Sequence, residues 1–409
     1  MPFSYGMDVL RPAFEDREVP YIAYGSRFDA LCATHVEQTL NASRVYIIAS
    51  RSLSAQTDSL KRLQHALGDK VVGTRIGISP HTRWHEVVEI ALDASKVQPD
   101  CIVTLGAGSI TDGSKIIAWM LANDVTTAEG LEEMFSGNAN MRKDLKPPSI
   151  RVISIPTSLS GGEYQSIAGV TRSDGSNQKC LFEPPTRNPS LVILDPELTT
   201  TTPERIWLSS GIRAVDHCVE TLCSLASNEA GDKEAEKGLA KLVPGLLKTK
   251  HDPKDLDARF ECQLGVIEAM SAVGSGVPLG ASHAIGHQLG PLGVGHGETS
   301  CVMLPAVCQW NEKVGANVER QKQCKEVLMR DSEVMRLIGD KGQGMDLGQI
   351  LDKVIRELGM PRSLKDVGVG RDQLEDLART SLNDHWIKTN PMPITKKEQV
   401  MEILEMVVE

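Results

Sequence analysis

The stretch Cys101-Ile-Val-Thr-Leu105-Gly106-Ala-Gly-Ser109-Ile-Thr-Asp112-Gly-Ser-Lys115 decides the fold. Five residues suited to a buried strand run straight into a glycine-rich turn, and a helical pattern, Ser114–Ala122, follows. Glycines at 106 and 108 let backbone N–H groups approach a phosphate, and a helix N-terminus favours its negative charge. The third glycine stands at 113, so the spacing departs from the common dinucleotide fingerprint. Taken alone, the turn reads equally well as a tight strand–helix connection without a ligand. A second loop changes the balance. Pro156-Thr-Ser-Leu-Ser-Gly-Gly-Glu163 follows the strand pattern Arg151–Ile155 and belongs at the same sheet edge. Open parallel sheets bind their ligands at that edge. The plain alternative for Thr157, Ser158 and Ser160 is helix capping.

Outward from these loops the same alternation continues. Val45–Ala49, Val71–Gly73, Ile76–Ile78 and Leu191–Leu194 read as strands, while Asp58–Leu67 and His85–Val97 carry helical spacing. Strands alternating with helices imply a mainly parallel sheet covered on both faces. After Asp195-Pro196 the character changes. Pro203 suits a helix start, and Glu234–Leu247, Leu256–Ala272, Gln321–Ile338 and Met345–Glu357 are helical patterns with no strand among them. The expected architecture is α/β plus all-α. A Rossmann-like parallel-sheet dinucleotide-binding domain spans 1–200, and an all-helical domain carrying the histidine site spans 201–409. The strand ending at Ala49 continues Ser50-Arg51-Ser52, without the carboxylate that often holds an NAD ribose. An arginine there favours the 2′-phosphate of NADPH over NADH.

Composition narrows the function. At 409 residues the chain is long enough for two cores, and 41% hydrophobic with 24% charged residues is ordinary for a globular protein. A net charge of −10 argues against nucleic acid as a partner. No apolar run approaches the ~20 residues of a membrane span, and Met1-Pro-Phe-Ser-Tyr is not a secretory leader. Nine scattered cysteines without a CxxC pair suit reduced thiols in the cytoplasm. A homodimer is compatible with the sequence.

The C-terminal half concentrates histidines. His283 and His287 are four apart, His296 follows in Gly293-Val-Gly-His-Gly297, and His217 sits in Gly211-Ile-Arg-Ala-Val-Asp-His217. Positions four apart share a helix face. Imidazole suits divalent metals, although the spacing alone names none.

These motifs together resemble the iron-containing alcohol dehydrogenase family of the dehydroquinate synthase-like superfamily. They look most like its maleylacetate reductase branch, which reduces an enone diacid with NADH or NADPH. The resemblance rests on Gly106-Ala-Gly-Ser-x-x-Asp112-x-x-Lys115, Pro156-Thr-Ser-x-x-x-Gly162-Glu163, Gly211-x-Arg-Ala-Val-Asp-His217, and His283-x-x-x-His287-Gln-Leu-Gly followed by Gly295-His296-Gly. It implies a cofactor set of Ser50, Gly106, Ala107, Gly108, Ser109, Asp112, Thr157, Ser158, Ser160 and Lys179. Typical members hold Fe or Zn with one Asp and three His. The histidines correspond to His217, His283 and His296. The Asp position, four residues before the first histidine, is Arg213. A guanidinium cannot ligate a metal, and Asp216, about 100° around the helix from His217, reads as a poor substitute.

The expected function is therefore hydride transfer from NAD(P)H to a small carbonyl or enone carrying a carboxylate, at a metal-independent site. Arg213 would bind a carboxylate or polarise a carbonyl. His217, His283, His287 and His296 would orient the substrate and supply a proton. The alternative is a non-redox lyase, dehydratase, isomerase or cyclase on the same fold.

Overall fold

The computed structural model describes residues 4–135, 145–175, 178–182 and 188–409, with the backbone alone at 340, 341 and 343. The chain divides into two compact units, Met1–Thr202 and Pro203–Glu409.

Among the described residues the N-terminal unit has nine strands: β1 (Val9–Pro12), β2 (Tyr21–Tyr24), β3 (Val45–Ala49), β4 (Val71–Ile76), β5 (Cys101–Gly106), β6 (Arg151–Pro156), β7 (Ala168–Thr171), β8 (Lys179–Phe182) and β9 (Leu191–Ile193). Seven form one sheet in the order β1-β2-β9-β6-β5-β3-β4. Only the β1–β2 pair in it is antiparallel. Period-2 alternation sorts its side chains. Val45, Ile47, Val103 and Leu105 face one apolar layer, under helices Phe28–Gln38 and Ser59–Leu67. Tyr46, Ile48 and Ile102 face the other, under helices Trp84–Val97 and Gly108–Ala122. β7 and β8 form a separate antiparallel pair.

The order matters for function. The chain leaves β3 for β4 on one side, then returns to lay β5 on the other. The crevice at the C-terminal ends of β3 and β5 is thus a topological switch point. Ser50 and Gly106 meet there, the Ser50 N–H donating to Leu105 O at 2.8 Å.

Two sequence expectations are corrected here. Val71–Gly73 and Ile76–Ile78 are not two strands, since Val71–Ile76 pairs with β3 as one. The helix after β5 begins at Gly108 and not at Ser114. Low helix propensity at Gly108 and Gly113 is overridden by packing, for a Cβ at 113 would meet Ile78 Cδ1 at 2.6 Å.

The C-terminal unit has no strand among its described residues. Its longest helices are Glu204–Cys223, Glu229–His251, Leu256–Gly274 and His296–Lys313. The pattern Gln321–Ile338 resolves into two helices, Val318–Met329 and Ser332–Ile338, because Asp331 caps the second through the N–H groups of Glu333 and Val334. No helix of the described residues is long and apolar enough to cross a membrane.

Candidate active site

In the N-terminal unit the first helical turn of Gly108–Ala122 has no side-chain cap at Ala107. The Ile110 N–H donates to Ala107 O at 3.0 Å, and the N–H groups of Gly108 and Ser109 ahead of it are the ones placed for an anion. Gly106 holds φ at +152°, and a Cβ there would lie 2.8 Å from Ile110 Cδ1 and 2.9 Å from Ser50 Cβ. A Cβ on Gly108 would lie 2.8 Å from Ser160 Oγ. Both glycines thus keep the backbone open where a diphosphate must approach. Thr82 donates its hydroxyl to Ser109 O at 3.0 Å, fixing the loop from outside. Thr157 is buried, and its N–H donates to Gly106 O at 3.1 Å. Ser158 and Ser160 join hydroxyls at 3.1 Å. Asp112 accepts the Gly169 N–H at 3.1 Å. Lys179 is exposed at the start of β8. These features fit a dinucleotide phosphate.

Lys115 and Glu163, named in the sequence only as motif letters, prove to be buried beneath these loops. Burial pushes the Glu163 carboxyl up to about 7, against the pull of the Lys115 charge.

In the C-terminal unit, helix Glu204–Cys223 carries Arg213, Asp216 and Glu220 at i, i+3 and i+7, all on one face. All three are buried. Ser282 and Ser300 donate hydroxyls to Asp216 Oδ2 at 2.9 and 2.5 Å. Arg213 Nη1 donates to Ser300 Oγ at 3.1 Å and lies 3.8 Å from Asp216 Oδ2. Glu220 accepts the N–H groups of Gly280 and Ser282 at 2.8 Å each, so it caps helix Ala281–Leu289 with negative charge. His283 Nδ1 then meets Glu220 Oε2 at 2.8 Å and Asp216 Oδ2 at 3.4 Å. The His217 ring stacks on His283 with centroids 4.8 Å apart.

Two carboxyls converging on one imidazole nitrogen beside a single guanidinium do not both ionise. Burial and mutual repulsion push Asp216 up, with Arg213 and the serine hydroxyls opposing. Glu220 is also pushed up by burial, opposed by the N–H groups of Gly280 and Ser282. Burial, then the neighbouring His283 and Arg213, hold His217 well below its usual range. His283 is lowered likewise, by burial and then Arg213. Both imidazoles are therefore neutral. Arg213 Nε, Asp216 Oδ1, His217 Nδ1 and His283 Nε2 are buried without a hydrogen-bond partner among the described residues. Buried polar atoms are rarely left so, and four in one cluster mark a seat for a polar ligand.

The family's metal does not fit this arrangement. The Asp position holds a guanidinium that faces the cluster. Among the described residues, the group whose ligand atoms come within 4.8 Å of one another is Asp216, Glu220 and His283. Asp216 Oδ2 and both Glu220 oxygens are already engaged by serine hydroxyls, backbone N–H groups and His283, which leaves Asp216 Oδ1 as the one carboxylate oxygen of the group without a partner among the described residues. His296 is exposed at the head of helix His296–Lys313 and pairs instead with His287, ring centroids 6.5 Å apart. His287 Nδ1 meets Asp384 Oδ2 at 2.8 Å. Burial works against the Asp384 charge, yet the His287 hydrogen bond and charge hold it below the usual carboxylate range. Trp386 covers His287, with centroids 5.1 Å apart. The angle between Asp216 and His217 hides the part Asp216 plays, and Ser282, Ser300 and Asp384 stand in no motif of the sequence. The i, i+3, i+7 spacing of Arg213, Asp216 and Glu220 was the available signal for the first, while Asp384 had none.

Comparison with known proteins gives two family matches. "Iron-containing alcohol dehydrogenase" matches residues 26–196, and "Fe-containing alcohol dehydrogenase family, C-terminal" matches 207–408. Dehydrogenase FUM7 of Gibberella moniliformis is 39% identical over 410 residues, covering 95% of this chain and 96% of that protein. The crystal structure of maleylacetate reductase from Agrobacterium tumefaciens aligns with a TM-score of 0.72 at 26% identity, covering 100% of this chain and 98% of that one. Sulfoacetaldehyde reductase from Bifidobacterium kashiwanohense, solved with NAD+, shares the fold with a TM-score of 0.78 at 20% identity, covering 100% and 99%.

Proposed function

The chain belongs to the iron-containing alcohol dehydrogenase family, and on that premise we propose that it is a metal-independent NAD(P)H reductase of small, carboxylate-bearing carbonyl or enone compounds. The observation that carries this reading is the buried Arg213 guanidinium, whose Nε is one of four unpartnered polar atoms in the cluster, at the position where the family resemblance implies a ligating Asp. When bound, the nicotinamide supplies the hydride. The Gly106–Ser109 turn would hold the diphosphate of NAD(P)H through N–H groups, and the Pro156–Glu163 loop would line the nicotinamide.

The protein's own groups supply the remaining chemistry. Arg213 contributes a fixed positive charge where electron density develops on the substrate oxygen. Neutral His217 would orient that oxygen through an N–H at its unpartnered Nδ1, while His283, whose Nδ1 is turned to Glu220, would offer Nε2 as an acceptor for the product hydroxyl. His287 is the proton donor, because Asp384 fixes its Nδ1 proton and makes Nε2 the exchanging nitrogen. Arg51 packs against Gly77, where an added Cβ would meet its Nε at 3.0 Å, and no acid follows β3, which supports NADPH. The ratio of kcat/KM for NADPH and NADH reads that preference directly. The nine cysteines are all buried free thiols, which supports a reducing, cytoplasmic location.

The test is turnover of NAD(P)H with maleylacetate-like substrates after exhaustive EDTA treatment, with metal content measured on the same sample. Retained activity at well under one metal per chain is expected. Activity abolished by chelation and restored by Fe²⁺ or Zn²⁺ would refute the metal-independent form.

A further inference from the structure

We propose that Asp112 and Lys115 are a positioning pair that docks the β7–β8 hairpin and so sets Lys179 against the phosphate turn. The inference rests on the cofactor reading above and deepens it.

A lysine buried to 1% exposure is costly unless each of its donors is matched. Lys115 Nζ donates to Gly162 O at 2.5 Å and Ile167 O at 2.9 Å, and its third direction faces Asp112 Oδ1 at 3.5 Å. Gly162 lies at the end of the Pro156–Glu163 loop, and Ile167 lies in the segment that joins this loop to β7. The second oxygen of Asp112 accepts the N–H of Gly169, inside β7. One turn of helix therefore grips positions 162, 167 and 169. The helix's first turn also faces Ser160, across the gap that Gly108 leaves open. A single rigid element thus registers the phosphate turn, the second loop and the hairpin.

The hairpin in turn fixes Lys179. β7 and β8 pair with Gly169 opposite Leu181 and Thr171 opposite Lys179. The Lys179 chain lies over Gly169, where an added Cβ would come within 2.5 Å of its Cε and 3.2 Å of its Nζ. That same position is 3.7 Å from Asp112 Oδ2. Lys179 therefore rests on a floor whose height is set by the Asp112 hydrogen bond. A purely structural staple would hold the fold without any link to Lys179. A positioning pair acts through it.

The experiment is a double-mutant cycle on the full chain, reading NAD(P)H Kd by fluorescence titration. Lys115→Met and Lys179→Ala are each expected to raise Kd about ten-fold, and the double variant also about ten-fold, because both remove one shared contribution. A double variant near a hundred-fold, or Lys115→Met with unchanged Kd, overturns the proposal. If Lys115→Met does not fold, Asp112→Asn enters the cycle in its place, with the same expected non-additivity. Wild-type protein that binds no NAD(P)H would instead sink the cofactor reading itself, so the two failures are distinguishable.

Discussion

Replacing Arg213 with methionine tests the electrostatic account of the C-terminal cluster. Methionine matches much of the side-chain volume but removes the charge and the donor to Ser300. The guanidinium lies 3.8 Å from Asp216 Oδ2. At an effective dielectric constant of about 20, a unit charge pair at that distance is worth about 4 kcal/mol. Removing one partner of a buried pair typically costs about 3–5 kcal/mol. The sign with pH follows from the shifts. Asp216 and Glu220 are raised by folding, so their contribution is complete at low pH and is lost as pH rises through them. Without Arg213 both rise further, and His217 and His283 lose a neighbour that keeps them neutral. Arg213→Met should therefore lose about 3–4 kcal/mol at pH 8 and clearly less at pH 5, where a second proton neutralises the cluster. Adding Asp216→Asn to the variant should recover a large part of the loss at pH 8. Urea unfolding at the two pH values measures all three. A loss below about 1 kcal/mol at pH 8, within the range of an exposed ion pair, or an equal loss at both pH values, would refute the reasoning.

Three further outcomes follow from the described contacts. Gly106→Ala forces a Cβ against Ile110 and Ser50 at a positive φ, so it should cost about 1–3 kcal/mol and raise NAD(P)H Kd at least about ten-fold; unchanged titration curves would count against the phosphate turn. Glu163 moves from 4.5 to about 7 on folding, so its stabilising effect is present at low pH and lost as pH rises through about 7, a difference of about 3 kcal/mol. Glu163→Gln should gain about that much relative to wild type between pH 4.5 and 8, and parallel stability curves would contradict it. Asp384→Asn leaves the His287 tautomer unfixed, so kcat should fall about ten-fold or more while the KM for NAD(P)H holds; a normal kcat would remove His287 from the proton-donor role.

Strand–turn–helix periodicity made the central sheet legible. Val45–Ala49 was read with the bounds that the structure gives β3, and β5 and β6 differ from their readings by one residue. β1 and β2 were not read, because four-residue strands near a sheet edge carry too little periodicity to separate from loop. The helix start at Gly108 was placed late for a related reason. Its first residues, Gly108-Ser-Ile-Thr-Asp-Gly113, carry weak helix propensity and owe their conformation to the neighbouring loops. The β7–β8 pair owes its place to Asp112 and Lys115, contacts about 55 residues distant that no local pattern encodes.

In the C-terminal cluster the sequence identified the substitution but not its compensation. Arg213 at the family's Asp position was visible at once. Asp216 was set aside by considering only its angle to His217. The more informative relation was to Arg213 three residues before it and Glu220 four residues after. A helix that replaces a ligating carboxylate with a guanidinium must balance that charge from within the same buried volume. The residues able to do so are those on the same face, and Asp216 and Glu220 are those residues. In this cluster a positive charge is attached to the chain at Arg213 and held by Ser300 and Asp216. Its electrostatic contribution cannot be removed by a chelator. On the proposed metal-independent reading, the C-terminal unit would keep a cationic site through Arg213 and its partners Ser300 and Asp216, without coordination chemistry.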